Sequence, residues 1–570
     1  MINFFKLNKI ILQTLFLVFF LNTTSLLGLE KVYRGDKVAK YFSGVISLNS
    51  NDYEASYHFL KDLKNIENIH SNYSRIYINA LINNSKIAEA FRFSEGLKKK
   101  NLNFFQSDLI LVARLIDNLQ YNKAFSQLSV IDKKKNKTAL QDLLIQTILS
   151  WIKIENQKLK FEEANKLFDK LDSRFNNIKK IQKVFVSCYF DKSNTDFQFE
   201  NLINNKETNF SRYSFFYINY LMKKERFTKA KDELEKGLLR SPRNLLLNKI
   251  KSEIDFTNKY YISSFDCKNI SHLVAELFYI TANALSTQSI FSISNYYLNL
   301  AQYLNSSFLH YEILLAENYQ SSNNYKDAKK MYKKIRNFGD AYKWYASKQL
   351  AFMFLEEKEK KKAKMILKKT FKSLKDPNLY QIYDYANFLK NNEMFEDSIK
   401  YYSQVLSLIT NENALYPKAT DGRGIAYERI DNWKKAEQDL LSSLKADPNQ
   451  AYVINYLAYS WIEKGIKVEE SLKMLEKANQ LRANDGYITD SLGWAFYKLR
   501  NYSKAKKYLQ LAVQLMPSDP IINDHFGDCL WMNGNKLQAR YYWEYVLKLE
   551  DTTEDQKEKI KEKIFNGPKI

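Results

Sequence analysis

Small and large apolar residues alternate with polar ones in a pattern that repeats along this chain. It is clearest between residues 487 and 549. Leu492, Phe496 and Leu499 fall on one face of a helix, because about 3.6 residues make a turn. Ala505, Leu509 and Ala512 make the facing stripe of a second helix, and Gly493 leaves room for the two to cross closely. Arg500 and Asn501 form the turn between them, and Pro517 stops the second helix. The next segment repeats the order. Gly493 falls on Gly527 and Ala505 on Ala539, both 34 residues apart, while Phe496 meets Leu530 and Tyr497 meets Trp531. The spacing predicts antiparallel helix pairs, each leaving an apolar face that the next pair covers.

The same beat runs through most of the chain. The small residue of the first helix recurs at Ala282, Ala316, Ala351, Ala386, Gly424, Ala458, Gly493 and Gly527, at spacings of 34, 35, 35, 38, 34, 35 and 34. Near the start, Gly44, Ile78 and Val112 are 34 apart, and twelve residues after each stand Ser56, Ala90 and Ala124. Ile218, Ala230 and Pro242 mark another unit. Between 134 and 206 the beat blurs, with helices expected over 143–154, 161–171 and 184–190 but no fixed register. A period of 34 with this residue order resembles the tetratricopeptide (TPR) repeat. The resemblance implies an all-α fold, a TPR solenoid of antiparallel helix pairs wound into a right-handed superhelix. The expected organisation is degenerate repeats over 29–247, a broken repeat or boundary at 248–272, a regular array over 273–553, and a charged capping helix and tail over 554–570.

Composition narrows the function. The 570 residues are 45% hydrophobic and 15% aromatic with only 14 Gly and 7 Pro, too apolar for disorder and too poor in turn residues for an all-β fold. The net charge of +23 comes from lysines, in short scattered clusters at 98–100, 133–135 and 360–362. Arginine, the usual reader of phosphates and bases, is far rarer, so no nucleic-acid partner is expected. Cys188, Cys267 and Cys529 are widely separated and odd in number, and show no disulfide framework or CxxC metal site. Asp524, His525, Asp528 and Cys529 are close in sequence, but on a helix Cys529 turns to the core, and a structural role for His525 is expected over metal binding. With no GxSxG, P-loop or GxGxxG and no nucleophile beside a base, neither catalysis nor a cofactor is expected.

Residues 1–28 have the form of a secretory signal: Lys6 and Lys9, an apolar run over 10–21, and a polar small-residue exit ending near Gly28. No Cys follows the run, so no lipid anchor of that kind is expected. The chain is expected in the periplasm, either cleaved or held by the uncleaved segment.

In a TPR superhelix the first helices line the concave face. At four positions along them, the last repeats place Asp421, Asn455, Asp490 and Asp524; Tyr459, Trp494 and Asp528; Tyr497 and Trp531; and Tyr452 and Tyr487, with Ile521. This acidic and aromatic ladder is the expected partner-binding groove and favours a basic or amide-rich partner. The segments NYLAYSWIEKG, DGYITDSLGWAFYKL, MPSDPIINDHFGDCLW and QARYYWEYVLKLE resemble the closing repeats of exported proteobacterial TPR adaptors of carboxyl-terminal processing proteases. The resemblance implies a non-catalytic periplasmic scaffold in envelope quality control or assembly, with a protease or cell-wall hydrolase as partner. The alternative is a cell-wall or polysaccharide binder, with Trp494, Tyr497 and Trp531 stacked on sugar rings. Peripheral membrane or cell-wall association fits either.

Overall fold

A left-handed backbone residue follows the first helix of repeat after repeat. In the computed structural model, which describes residues 35–63, 66–68, 70–134, 136–253 and 264–569, positive φ angles fall at Asn51, Ser85, Leu119, Lys158, Asp191, Glu225, Ser289, Asn323, Lys358, Glu393, Asp431, Gly465, Arg500 and Gly534. Most of these steps are 34 or 35 residues. Nearly every one of these left-handed residues closes its helix by letting the next amide reach back five residues, as Lys86 N donates to the Leu81 carbonyl at 2.8 Å and Asn501 N to that of Phe496 at 2.9 Å. Lys158 and Asp191 set the register where the sequence blurs. The pairs there are Ala139–Gln157 with Phe161–Asp169, and Asn176–Tyr189 with Thr195–Ile203. In the repeat after Ala458 the extra residue lies in the turn, where Gly465 and Lys467 both have positive φ.

The crossings follow the twelve-residue offset. Ser56 Oγ donates to the Gly44 carbonyl at 2.8 Å, and Ser294 Oγ to that of Ala282 at 2.7 Å. A Cβ on Gly493 would come within 2.7 Å of the Leu509 side chain, which is why the first helix needs glycine there. Leu509 itself is fully buried, a contribution of roughly 1.5–3 kcal/mol. The described residues form 30 α-helices and no strand, an all-α TPR solenoid. None of those helices is long and apolar enough to cross a membrane. The segment expected to be a signal lies outside the described residues.

The chain divides into two compact units between Thr370 and Phe371, within the helix Lys360–Ser373. This division does not fall in 248–272, expected as a broken repeat or boundary, and two cross-links bind that stretch of the chain into the first unit. Cys188 and Cys267 form a disulfide, with Cα atoms 6.0 Å apart and positions 79 apart in sequence. Arg212, on the helix Arg212–Lys223, makes a bidentate pair of 2.8 Å bonds with Glu276 on Ile270–Thr287. The guanidinium also lies 3.6 Å from the centre of the Tyr279 ring. The disulfide ties an earlier repeat to Cys267 within 248–272, and the ion pair joins the repeat before that segment to the helix after it. The disulfide also corrects the reading that the cysteines form no bridge.

The first unit also packs its beginning against its end. Asn79 Nδ2 donates to Ser292 Oγ at 2.7 Å, Asn324 Nδ2 to the Asn51 carbonyl at 2.7 Å, and Tyr296 OH to the Gln106 carbonyl at 2.8 Å. Buried Asn318 holds Asn295 and Ser294 at 2.7 and 2.8 Å behind this seam. A polar seam of this kind is specific only when its groups are matched.

Candidate functional site

The second unit carries every residue expected in the groove, on the first helices Tyr416–Arg429, Ala451–Glu463, Gly486–Lys498 and Pro520–Met532. Asp485 and Asp519 cap the last two, each accepting from two backbone amides, which fixes where each helix starts.

The residues sort into four groups. Tyr452, Tyr487 and Ile521 occupy the same position in three successive repeats and are 52%, 52% and 49% exposed. They form an open rim. Tyr452 OH donates to Asp485 Oδ2 at 2.8 Å, and the Arg482 guanidinium lies 4.9 Å from its ring centre.

Deeper in, His525 lies against Trp494, with ring centres 3.9 Å apart and planes 12° from parallel; Trp494 also stacks on Tyr497 at 4.5 Å. Trp494 Nε1 donates to Glu463 Oε1 at 2.5 Å, and the side chain is only 7% exposed. His525 Nδ1 faces Asp490 at 3.0 Å. Burial alone would lower the imidazole pKa, but Asp490, then Asp524 and Asp528, outweigh it and raise it.

At the C-terminal end the helix Glu554–Asn566 folds back over the ladder. Lys563 Nζ donates to Asp524 at 2.7 and 2.8 Å and to Asp528 Oδ2 at 2.9 Å. Asp528 is 4% exposed, and its Oδ1 has no hydrogen-bond partner. Burial first, and Asp524 second, push its carboxyl up to about 6. The tail also covers Trp531: a Cβ on Gly567 would come within 2.5 Å of that indole.

Upstream, Asp421 is half-buried, and burial raises it to about 6, offset only by Lys390. No hydrogen bond or salt bridge among the described residues reaches its carboxylate. Asn455 Oδ1 is buried with no partner, and burial raises the half-buried Tyr459 hydroxyl.

The ladder is thus not uniformly open, as the sequence pattern had implied. Asp490 pairs with His525, Asp524 and Asp528 are held by Lys563, Trp494 is buried, and Trp531 is covered. Glu463 and Lys563 escaped the sequence reading. Glu463 lies 31 residues before Trp494, near one period, and that spacing was a usable signal. Lys563 follows no period relative to Asp524. Cys529 is buried beside Asn533, filling the core as expected. Among the described residues no three His, Cys, Asp or Glu side chains gather as a metal-binding group.

The left-handed turns at the 34-residue step and the small-residue crossings define a tetratricopeptide repeat protein. No family model matches the chain. A TPR repeat-containing protein of Pseudomonas aeruginosa, PA4667, is 29% identical over 150 residues, covering 25% of this chain and 23% of that protein. The match therefore spans about a quarter of the relative's length. Solved structures with similarity include a tetratricopeptide repeat protein from Parabacteroides merdae (15% identity, TM-score 0.32, covering 39% of this chain and 85% of that one). The APC/C hetero-tetramer Cut9–Hcn1 is another (12% identity, TM-score 0.36, covering 93% and 96%).

Proposed function

We propose that this protein is an exported, non-catalytic scaffold that binds a protein partner along the first helices of its last repeats. The observation that carries the reading is the rim Tyr452–Tyr487–Ile521, three large side chains about half exposed and in register, beside Asp421 and Asn455, which lack donors. Tetratricopeptide arrays use such surfaces to bind proteins, and exposed aromatic side chains are the usual anchors. Acceptors without donors favour a partner segment rich in cationic or amide groups. The form of residues 1–28 supports export to the periplasm, as does the Cys188–Cys267 disulfide, since such bonds persist in oxidising compartments. A periplasmic protease or cell-wall hydrolase is the partner class we infer, from the resemblance of the closing repeats. The saccharide alternative loses its main support, because Trp494 is buried between its neighbours and Trp531 lies under Gly567.

The test is in-cell crosslinking from a photoreactive residue in place of Tyr487, followed by mass spectrometry. A dominant protein adduct supports the reading. Label on cell-wall fragments alone, or no adduct at all, sinks it.

A further inference from the structure

The final helix is a cap, and its capping role accounts for part of its sequence. Ile560 is 2% exposed, and Ile564 packs on the same core as Trp543. Capping does not account for Lys563. A solenoid end needs a polar outer face, yet this lysine turns inward, its side chain 21% exposed, against two carboxylates on adjacent turns of one helix.

The fit is also incomplete. Asp524 and Asp528 present four oxygens. The ammonium of Lys563 has three donors and reaches three of them. The fourth, Asp528 Oδ1, is buried without a partner in a residue that is 4% exposed, so the pair is left short of one donor. A guanidinium carries five donors in a planar fork matched to paired carboxylates and is less strongly hydrated than an ammonium.

We propose that the Asp524–Asp528 pair is a recognition site for an arginine side chain of the partner, and that Lys563 is a tethered stand-in which the arginine displaces. The inference rests on the scaffold reading and deepens it by naming the residue type the partner must present. Displacement releases the end of the helix Glu554–Asn566 and uncovers Trp531, whose face then meets the arriving segment. Because the lysine is tethered, it competes at an effective concentration in the millimolar range, so only a segment with additional contacts on the rim displaces it.

The test uses the full exported chain and two fluorescein-labelled probes of equal charge, hexa-arginine and hexalysine, followed by fluorescence anisotropy. Hexa-arginine is expected to bind about tenfold more tightly, a difference of about 1.4 kcal/mol. Lys563→Ala is expected to tighten both probes about tenfold, and Asp528→Asn to erase the arginine preference. Hydrogen exchange in Glu554–Asn566 is expected to accelerate when hexa-arginine binds. Lys563→Gln repeats the measurement should Lys563→Ala loosen the helix Pro520–Met532 without a probe. Equal affinity for the two probes, or a preference that survives Asp528→Asn, overturns the proposal. So does failure of both Lys563 variants to tighten binding. If Tyr487 crosslinks a protein while these probes fail, the arginine site falls and the scaffold reading stands. If the probes behave as expected but no protein is captured, the scaffold reading falls, and what remains is an arginine-binding site without a partner.

Discussion

Asp490 and His525 face each other at 3.0 Å from the first helices of neighbouring repeats, 35 residues apart in sequence. That is one residue more than the repeat length, so the pair lies diagonally across the interface and holds the imidazole flat against Trp494.

The pair makes the second unit pH-sensitive. His525 is raised above its ordinary 6.5 in the folded chain. Its contribution to stability is therefore complete below 6.5 and is lost as pH rises through the raised value. Asp528, raised from 3.8 to about 6, acts with the same sign in a lower window: its contribution is complete below 3.8 and gone above 6. Thermal unfolding followed by tryptophan fluorescence is expected to show the unit more stable at pH 5 than at pH 8. Asp490→Asn is expected to flatten the upper part of that dependence and cost about 1–3 kcal/mol at pH 6. Asp528→Asn is expected to flatten the lower part.

Asp421 carries a penalty of its own. Its carboxyl is raised from 3.8 to about 6 by burial, with no bonded cation. Stability associated with it is present below 3.8 and lost above 6, so at neutral pH its charge is destabilising. Asp421→Asn is expected to stabilise the unit at pH 7.5 by on the order of 2–3 kcal/mol, and by nothing at pH 4. Urea unfolding at the two pH values tests it, and equal effects at both would refute the assignment.

Leu119 sits in the left-handed turn of its repeat with φ 57° and is 68% exposed. A bulky side chain is strained there and gains little from burial. Leu119→Gly is expected to stabilise the first unit by about 1 kcal/mol in urea unfolding, whereas the same change at a right-handed helical position costs about that much.

The Cys188–Cys267 bond links positions 79 apart in sequence, the second within 248–272. Breaking it restores freedom to the unfolded chain, and Cys188→Ser or Cys267→Ser is expected to cost roughly 2–4 kcal/mol. Both single variants and the reduced wild type are expected to melt at nearly the same lowered temperature. A variant that melts like the oxidised protein would show the bond to be absent.

Part of the candidate site was legible in the sequence because it obeys the repeat. The rim of Tyr452, Tyr487 and Ile521 follows from counting positions along successive first helices, and all three are half exposed. The floor was less legible. A carboxylate at a groove position reads the same whether it is half-buried without a bonded cation, as Asp421 is, or bound, as Asp524 is by Lys563. The sequence position of a side chain says which helix face it occupies, and nothing about which distant cation arrives there.

The repeat itself was determined locally. Each helix pair is a hairpin whose crossing, turn and period are written within 34 residues, so Gly493 with Ala505 and Gly527 with Ala539 suffice to declare it. Even the blurred register of 134–206 is local, carried by the turns at Lys158 and Asp191. Only the tertiary structure decided where chain ends and distant repeats meet: Asn79 with Ser292, Cys188 with Cys267, and Lys563 with Asp524 and Asp528. The reason is cumulative geometry. Small rotations between neighbouring repeats add up along a solenoid, and no single repeat records their sum.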